Sequence, residues 1–156
     1  MSVHRPDTPR ILALASAGGH WVQLQRMSPA FRELDTAYAS VYPAYAEDVA
    51  GARYHSFDDV NRFNKFSTFK VAWQIFAILR RERPDVVVTT GAGPGLIAII
   101  LAKYLFGTRT IWIDSVANCE QLSSSGVAAG KVADFWLTQW EHLARRDGPH
   151  FWGSVL

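Results

Sequence analysis

Two short glycine-rich segments contain the residue types that hold an anion and move a proton. The first is SAGGH, residues 16–20, and the second is GAGPG, residues 91–95; each joins an apolar run to a helical pattern. Glycine lets the backbone approach a ligand, and the first turn of a helix offers unpaired N–H groups to a phosphate. A helix N-terminus also favours the neutral imidazole, the form that a general base needs. The two segments therefore predict an anion site, with His20 as a candidate base.

Each segment also has a plainer interpretation. A glycine pair is often only a tight turn, and a histidine in the first turn can simply cap or pack against its helix. Neither segment matches the dinucleotide fingerprint, because the third glycine after Gly91 and Gly93 would stand at the position of Leu96. No lysine is placed for a P-loop either. A redox role with a nicotinamide is therefore disfavoured.

The elements that must position these segments alternate between apolar runs and helical patterns. Because the runs are continuously apolar, we expect an α/β fold, a Rossmann-like doubly wound parallel sheet covered on both faces. Ligands bind such sheets at the carboxyl ends of the strands, where both glycine segments are predicted. We expect a flexible segment over residues 1–9 and a single domain over residues 10–156. The predicted strands are residues 10–15, 37–42, 85–90, 110–114, 134–139 and 150–156, and the predicted helices are residues 21–34, 66–83 and 96–106.

Composition narrows the function classes. The chain has 156 residues, enough for one domain, and its net charge of +2 gives no bulk attraction to nucleic acid. The single cysteine, Cys119, rules out an internal disulfide and fits a reducing compartment. The longest apolar run, residues 96–106, is too short to span a bilayer, and the first ten residues lack the apolar core of a signal peptide. A soluble or peripheral protein is expected.

Residues 63–83 mix aromatic side chains with arginine and lysine. A helix this apolar is most often buried against the sheet. The first half of this segment, however, has the mixture that is typical of helices at a membrane interface. Both interpretations stay open at this point. The aromatic residues are Phe63, Phe66, Phe69, Trp73 and Phe76, and the basic residues are Arg62, Lys65, Lys70, Arg80, Arg81 and Arg83.

Four motifs in order make the chain resemble a known family. They are SAGGHWVQL, RPDVVVTTGAGPG, IDSVANCEQLSSSG and ADFWLTQW. With them the sequence resembles oligosaccharide-biosynthesis proteins of the asparagine-linked-glycosylation protein fourteen, PssD and CpsF kind, which are similar to the N-terminal half of a GT-B glycosyltransferase. The resemblance implies a subunit of an inverting UDP-sugar glycosyltransferase in polysaccharide or glycan biosynthesis. Its donor would carry N-acetylglucosamine or glucuronic acid, with a mild preference for the first.

The resemblance also implies a division of labour. A separate subunit, equivalent to the C-terminal GT-B half, would hold the UDP-sugar, so this chain needs no cofactor or metal and would be inactive alone. The acceptor would be a polyprenyl-diphosphate-linked sugar, met at the cytoplasmic face of the membrane. Asn118 stands where many relatives have arginine, and Asp114 where the family often has glutamate. By this resemblance the substrate-binding residues are Ser16, Gly18, Gly19, Gly91, Gly93, Gly95, Ser115 and Asn118, and the candidate bases are His20 and Asp114.

Several alternatives remain on sequence alone. Asp114 would equally suit a helix cap at a strand end. The whole chain could be a non-catalytic scaffold that recruits a catalytic partner to the membrane. A nucleotide-sugar epimerase or reductase is disfavoured, since both the fingerprint and a Tyr-x-x-x-Lys motif are missing. The apolar tail, residues 150–156, would either contact the partner subunit or extend the protein's own sheet.

Overall fold

A computed structural model describes residues 7–156 of the chain, so most of the predicted flexible segment lies outside the described residues. One parallel sheet of seven strands has the order β3-β2-β1-β4-β5-β6-β7, which confirms the predicted doubly wound architecture. The strands are β1 (Arg10–Leu14), β2 (Asp35–Ser40), β3 (Arg53–Ser56), β4 (Val86–Thr89), β5 (Arg109–Ile113), β6 (Phe135–Thr138) and β7 (His150–Phe151). The α-helices are α1 (Gly19–Met27), α2 (Lys65–Glu82), α3 (Ala92–Phe106) and α4 (Ser124–Ala129).

The centre of the sheet is the pair β1 and β4, which lie side by side although they are far apart in sequence. From β1 the chain runs outward through β2 to β3, and then returns to place β4 on the other side of β1. Strand β1 is apolar on both faces, and its last four residues are buried. The gap between β1 and β4 is therefore the topological switch point, where a sheet of this kind binds its ligand.

Helices cover both faces of the sheet. On one face α2 and α3 pack against the strand residues Leu12, Leu14 and Val87. On the other face α1 packs against the sheet through Trp21 and Leu24. Because the central parallel strands are buried on both sides, near-continuous apolar runs such as residues 86–88 located them in the sequence.

Helix α2 buries only part of its length. Its N-terminus is capped by Asn64, whose side chain accepts a hydrogen bond from the Phe66 N–H, and it ends at Arg83 in the left-handed region, just before Pro84. All of its buried residues lie in the stretch from Val71 to Glu82. The first one and a half turns therefore extend beyond the core.

Several predicted boundaries were wrong. The first helix ends at Met27 and continues as a short 3-10 helix (Ser28–Phe31), since Pro29 has no N–H for an α-helical hydrogen bond. The second strand starts two residues earlier than predicted. In the tail only His150–Phe151 pairs with β6, although the prediction covered residues 150–156. Strand β3, the 3-10 helices Pro43–Val49 and Glu141–Leu143, and helix α4 were not predicted.

The GAGPG segment is helical rather than a loop. Helix α3 begins at Ala92, so Gly93, Pro94 and Gly95 form its first turn. Proline is tolerated there because the first N–H groups of a helix have no intrahelical partner. Within residues 7–156, no helix has both the length and the apolar content needed to cross a bilayer.

Candidate functional site

The structure brings the two glycine segments together at the switch point. The imidazole Nδ1 of His20 lies 2.9 Å from the carbonyl oxygen of Thr90, and the Thr90 hydroxyl donates to the carbonyl oxygen of His20 at 2.7 Å. These two bonds join the start of α1 to the end of β4. The segments therefore form one site rather than two separate turns.

The contact with Thr90 decides which ring nitrogen of His20 carries hydrogen. A carbonyl oxygen only accepts hydrogen bonds, so Nδ1 must be the donor. In the neutral imidazole the other nitrogen, Nε2, then has a free lone pair. His20 is thus held in the tautomer that can accept a proton at Nε2.

The helices that start at this site lack side-chain caps. Gly18 precedes α1 with φ 71°, Gly91 precedes α3 with φ 117°, and no side chain accepts from the first turn of either helix. A Cβ added at Gly18, Gly19 or Gly93 would meet no atom within 4 Å. Both helix starts therefore lack a side-chain cap and border open space at these glycines, an arrangement that suits a phosphate or diphosphate.

Backbone conformation supports the same conclusion at the second segment. Ala92 has φ 65°, a left-handed value that is uncommon for a residue with a Cβ, and strain of this kind concentrates at functional sites. At Gly91 an added Cβ would lie 3.3 Å from Cε1 of His20. Glycine at position 91 therefore makes room for the candidate base.

Two of the predicted ligand residues have a packing role in the structure. Gly95 is buried, and a Cβ there would overlap the hydroxyl oxygen of Thr89 on β4. Ser16 is buried at the end of β1. The remaining glycines, 18, 19 and 93, are the ones whose backbone lies open.

Asp114, the rival base, is buried and fully bonded. Its Oδ1 accepts from the indole of Trp112 at 3.1 Å and from the Ser123 hydroxyl at 2.7 Å. Its Oδ2 accepts from the Asn118 amide and from the Ser123 N–H, both at 3.1 Å. The side chain is therefore engaged in fixing the segment between β5 and α4, and the same contact occupies the amide of Asn118.

Sequence reasoning missed several polar residues around the site. Gln23 and Gln139 are buried, and Gln23 donates to the hydroxyl oxygen of Ser115 at 3.0 Å. Tyr45 stacks on Trp21 with ring centroids 4.8 Å apart, and its hydroxyl accepts from the Gly18 N–H at 3.2 Å. The only sequence signal for Gln23 was a polar residue between two apolar ones, Val22 and Leu24.

The first half of α2 and the segment just before it carry an exposed aromatic patch, which consists of Phe63, Phe66, Phe69 and Trp73. Their exposed fractions are 99%, 83%, 75% and 71%. Because α2 runs antiparallel to the strands, its first turns lie toward the carboxyl edge of the sheet, the edge that carries the glycine segments. The aromatic side chains are thus solvent-facing, unlike a helix face buried on the sheet.

A cleft of about 900 Å³ lies away from this edge, between the end of α1 and the starts of β2 and β3. Its charged residues Asp35 and Arg53 pair with each other at 2.9 Å. Despite its size, this cleft is not the candidate site, because it lies away from the glycine segments and its Asp35–Arg53 pair is already formed. In the described part of the chain, no group of three or more histidine, cysteine or acidic side chains is arranged to hold a metal ion.

Comparison with known families assigns the chain to one of them. The family described as "Oligosaccharide biosynthesis protein Alg14 like" matches residues 58–155. The curated relatives include "UDP-N-acetylglucosamine transferase subunit ALG14" from Mus musculus, 23% identical over 90% of this chain and 79% of that protein. The protein of the same name from Eremothecium gossypii is 35% identical over 58% of this chain and 45% of its own length. The chain belongs to the Alg14-like family.

Solved structures of similar fold agree with the predicted architecture. MurG from Acinetobacter baumannii superimposes with a TM-score of 0.69 at 12% identity, over 94% of this chain and 44% of that one. UDP-N-acetylglucosamine 2-epimerase from Rickettsia bellii gives 0.66 at 15% identity, over 86% and 40%. The fold is that of the N-terminal Rossmann-like domain of GT-B proteins, and the chain spans less than half the length of these structures.

Proposed function

We propose that this protein is the acceptor-binding subunit of an inverting glycosyltransferase. It would act with a separate donor-binding subunit to move N-acetylglucosamine from UDP-N-acetylglucosamine to a lipid-linked sugar. The curated relatives are named as subunits of a UDP-N-acetylglucosamine transferase. These names support both the proposed donor and the need for a second subunit.

One observation carries this proposal: two uncapped helix N-termini meet at the switch point and are joined by the His20–Thr90 contact. The acceptor's diphosphate would lie over the starts of α1 and α3, where open N–H groups and the helix dipoles favour negative charge. Nε2 of His20 would take the proton of the acceptor hydroxyl. The hydroxyl oxygen would then bond to the anomeric carbon of the donor as the bond from that carbon to UDP breaks, and UDP would leave.

The aromatic patch gives the protein a means of contacting the membrane that holds such an acceptor. Phe66, Phe69 and Trp73 are exposed beside Arg62 and Lys65, a combination that binds anionic lipid surfaces. The patch lies toward the edge of the sheet where the acceptor headgroup would bind. We therefore place the protein peripherally, on the cytoplasmic face.

Reconstitution tests the proposed function. The chain is co-purified with the protein from the same genome that corresponds to a C-terminal GT-B half, and is supplied with UDP-N-acetylglucosamine and a short-chain polyprenyl-diphosphate-linked N-acetylglucosamine. We expect transfer by the pair and none by either chain alone. A pair that accepts only UDP-glucuronic acid would change the donor, and full activity of this chain alone would overturn the two-subunit proposal.

Flotation with vesicles tests the membrane contact separately. The Phe66→Ser/Phe69→Ser variant should lose binding to vesicles that contain phosphatidylglycerol. Val127→Ser is the matched control, since Val127 is also an exposed apolar residue on a helix but lies on α4. Equal binding by the two variants would show that the patch does not contact lipid.

A further inference from the structure

Two buried glutamines connect the C-terminal tail to the candidate acceptor site. The Val155 N–H donates to Oε1 of Gln139 at 2.9 Å. Nε2 of Gln139 donates in turn to Oε1 of Gln23 at 2.7 Å and to the carbonyl oxygen of Asp114 at 3.0 Å. Both glutamines are about 95% buried. We call the pair Gln23 and Gln139 the amide relay.

The inner end of the relay lies on the helix that carries His20. Gln23 is three residues after His20 on α1, nearly one turn along. Its Nε2 donates to the Ser115 hydroxyl oxygen at 3.0 Å, and its Oε1 also accepts from the Val116 N–H at 3.1 Å. The relay therefore ties α1 to the segment that follows β5.

The outer end of the relay lies at the tail, and a residue of α1 makes a second hydrogen bond to the tail. Arg26, one turn beyond Gln23, donates from Nη1 to the carbonyl oxygen of Val155 at 2.9 Å. Around this point the tail keeps apolar side chains in water: Trp152 is 66% exposed and Leu156 78%. The tail is thus docked on its own domain through its backbone while its side chains remain available to a partner.

The orientation of each amide in the relay is determined by its neighbours. Oε1 of Gln139 faces an N–H, and its Nε2 faces two carbonyl oxygens. A flipped amide would place donor against donor and acceptor against acceptor. If the tail moves away, the buried Oε1 of Gln139 loses its donor, which is costly inside a protein. The position of the tail and that of α1 are therefore energetically linked.

We propose that the amide relay is a positioning element, through which the docked tail fixes the start of α1 and hence His20. A partner that binds the exposed side chains of the tail would thereby order the acceptor site. The effect on catalysis rests on the proposed function. The mechanical link, which is the hydrogen-bonded connection from the tail to α1, does not.

Two isosteric substitutions separate a relay from simple packing. Gln23→Glu keeps every contact, because its neighbours on Gln139 and Val116 donate and the Ser115 hydroxyl can turn to donate as well. Gln139→Glu loses at least one of its contacts in either protonation state: an ionised carboxylate has no donor for the Gln23 and Asp114 oxygens, and a protonated one has a single O–H for the two. If the two glutamines only filled space, the two substitutions would have equal effects.

Amide hydrogen exchange on the full chain without a partner is the first test. Gln139→Glu should speed exchange of the amides of residues 22–25, which donate hydrogen bonds within α1, about tenfold or more, the scale of one lost buried hydrogen bond, while Gln23→Glu stays within about threefold of wild type. Gln74→Ala is the control, because Gln74 also holds a backbone N–H, that of Asp58, but on the other face. If Gln139→Glu does not fold, Arg26→Ala is used, and it should speed the same amides. Unchanged exchange in these tail-side variants, or equal effects of the two glutamate variants, would overturn the proposal.

Kinetics of the reconstituted pair give the second test. At saturating donor subunit, Gln139→Glu should lower kcat about tenfold with KM for UDP-N-acetylglucosamine unchanged, whereas Gln23→Glu should retain most of kcat. A variant that regains the wild-type kcat at saturating partner would overturn the relay. A wild-type pair that makes no product would instead overturn the proposed function, and the exchange result would still decide the mechanical link.

Discussion

The carboxyl edge of the sheet has an open half and a closed half. On the β1–β4 half, the backbone of Gly18, Gly19 and Gly93 borders empty space. On the β5–β6 half, Asp114 and Gln139 are buried and each polar atom of their side chains has a partner. Open space therefore lies on one half of the edge, and side chains with satisfied hydrogen bonds lie on the other.

Helix caps follow the same division. Helices α2 and α4 have side-chain caps, from Asn64 and Ser123, whereas α1 and α3 follow glycine N-caps, Gly18 and Gly91, without a side-chain hydrogen bond. A glycine in place of a capping side chain costs only a few tenths of a kcal/mol, roughly, so its use at both helix starts is inexpensive. The two glycine-capped helices are those that start at the candidate site, and the side-chain-capped helices lie outside it.

Removing the Asp114 carboxylate should have the largest effect on stability. Asp114→Ala leaves four donor groups on Trp112, Asn118 and Ser123 without their acceptor, and we expect the free energy of unfolding to fall by about 3 kcal/mol or more. Urea unfolding measures it. His20→Ala is the comparison and should cost about 1 kcal/mol. Wild-type stability of Asp114→Ala would contradict the closed half and restore Asp114 as a candidate base.

Sugar transfer should show the opposite order of effects, with the substitution of His20 more harmful than that of Asp114. In the reconstituted pair, His20→Ala should lower kcat about a hundredfold or more, the usual scale for a lost general base. Binding of the donor subunit, followed by co-purification, should not change. Full activity of this variant would favour either Asp114 or the non-catalytic scaffold.

The open half was largely predictable from the sequence. Its strands are continuous apolar runs, and its glycines stand next to them, so their placement could be inferred from residues close together in the chain, while the chemistry assigned to them stays a prediction. The error there was local: the GAGPG segment forms a helical turn because Pro94 is compatible with a first turn.

The closed half was less predictable because its partners are distant in sequence. Gln23 bonds to Ser115 across 92 positions and to Gln139 across 116. A glutamine gives no sign of such a partner, and in isolation it is expected at the surface. Strand β3 was missed for another reason: Arg53–Ser56 is a short edge strand without an apolar run.

Two glycines of one segment provide a finer test of the boundary between the halves. Gly95→Ala would force a methyl group against Thr89, and we expect the free energy of unfolding to fall by about 2 kcal/mol. Gly93→Ala meets open space and should leave stability unchanged or slightly higher, since alanine favours helix. In the reconstituted pair, however, Gly93→Ala should raise KM for the acceptor. The reverse pattern would place the ligand-facing backbone at Gly95.

The smallest effect is expected at the opposite end of the β5–β6 pair. Burial raises the pKa of Asp134, but hydrogen bonds from Thr110 and the ammonium of Lys103 outweigh it and hold the pKa below its ordinary value of 3.8. A lowered folded-state pKa contributes stability above the unfolded-state pKa, and the contribution is lost as pH falls through the folded-state pKa. Asp134→Asn should therefore be less stable than wild type at pH 7, by no more than about 1 kcal/mol because the pair is partly exposed.

Urea midpoints of both proteins at pH 7 and near pH 3 measure this difference, and it should shrink at the acidic value. A difference of equal size at both pH values would mean that the carboxylate charge does not stabilise this end of the pair. Neutral hydrogen bonds alone would then hold this end of the pair, and stabilisation by a carboxylate would be confined to Asp114 at the carboxyl edge.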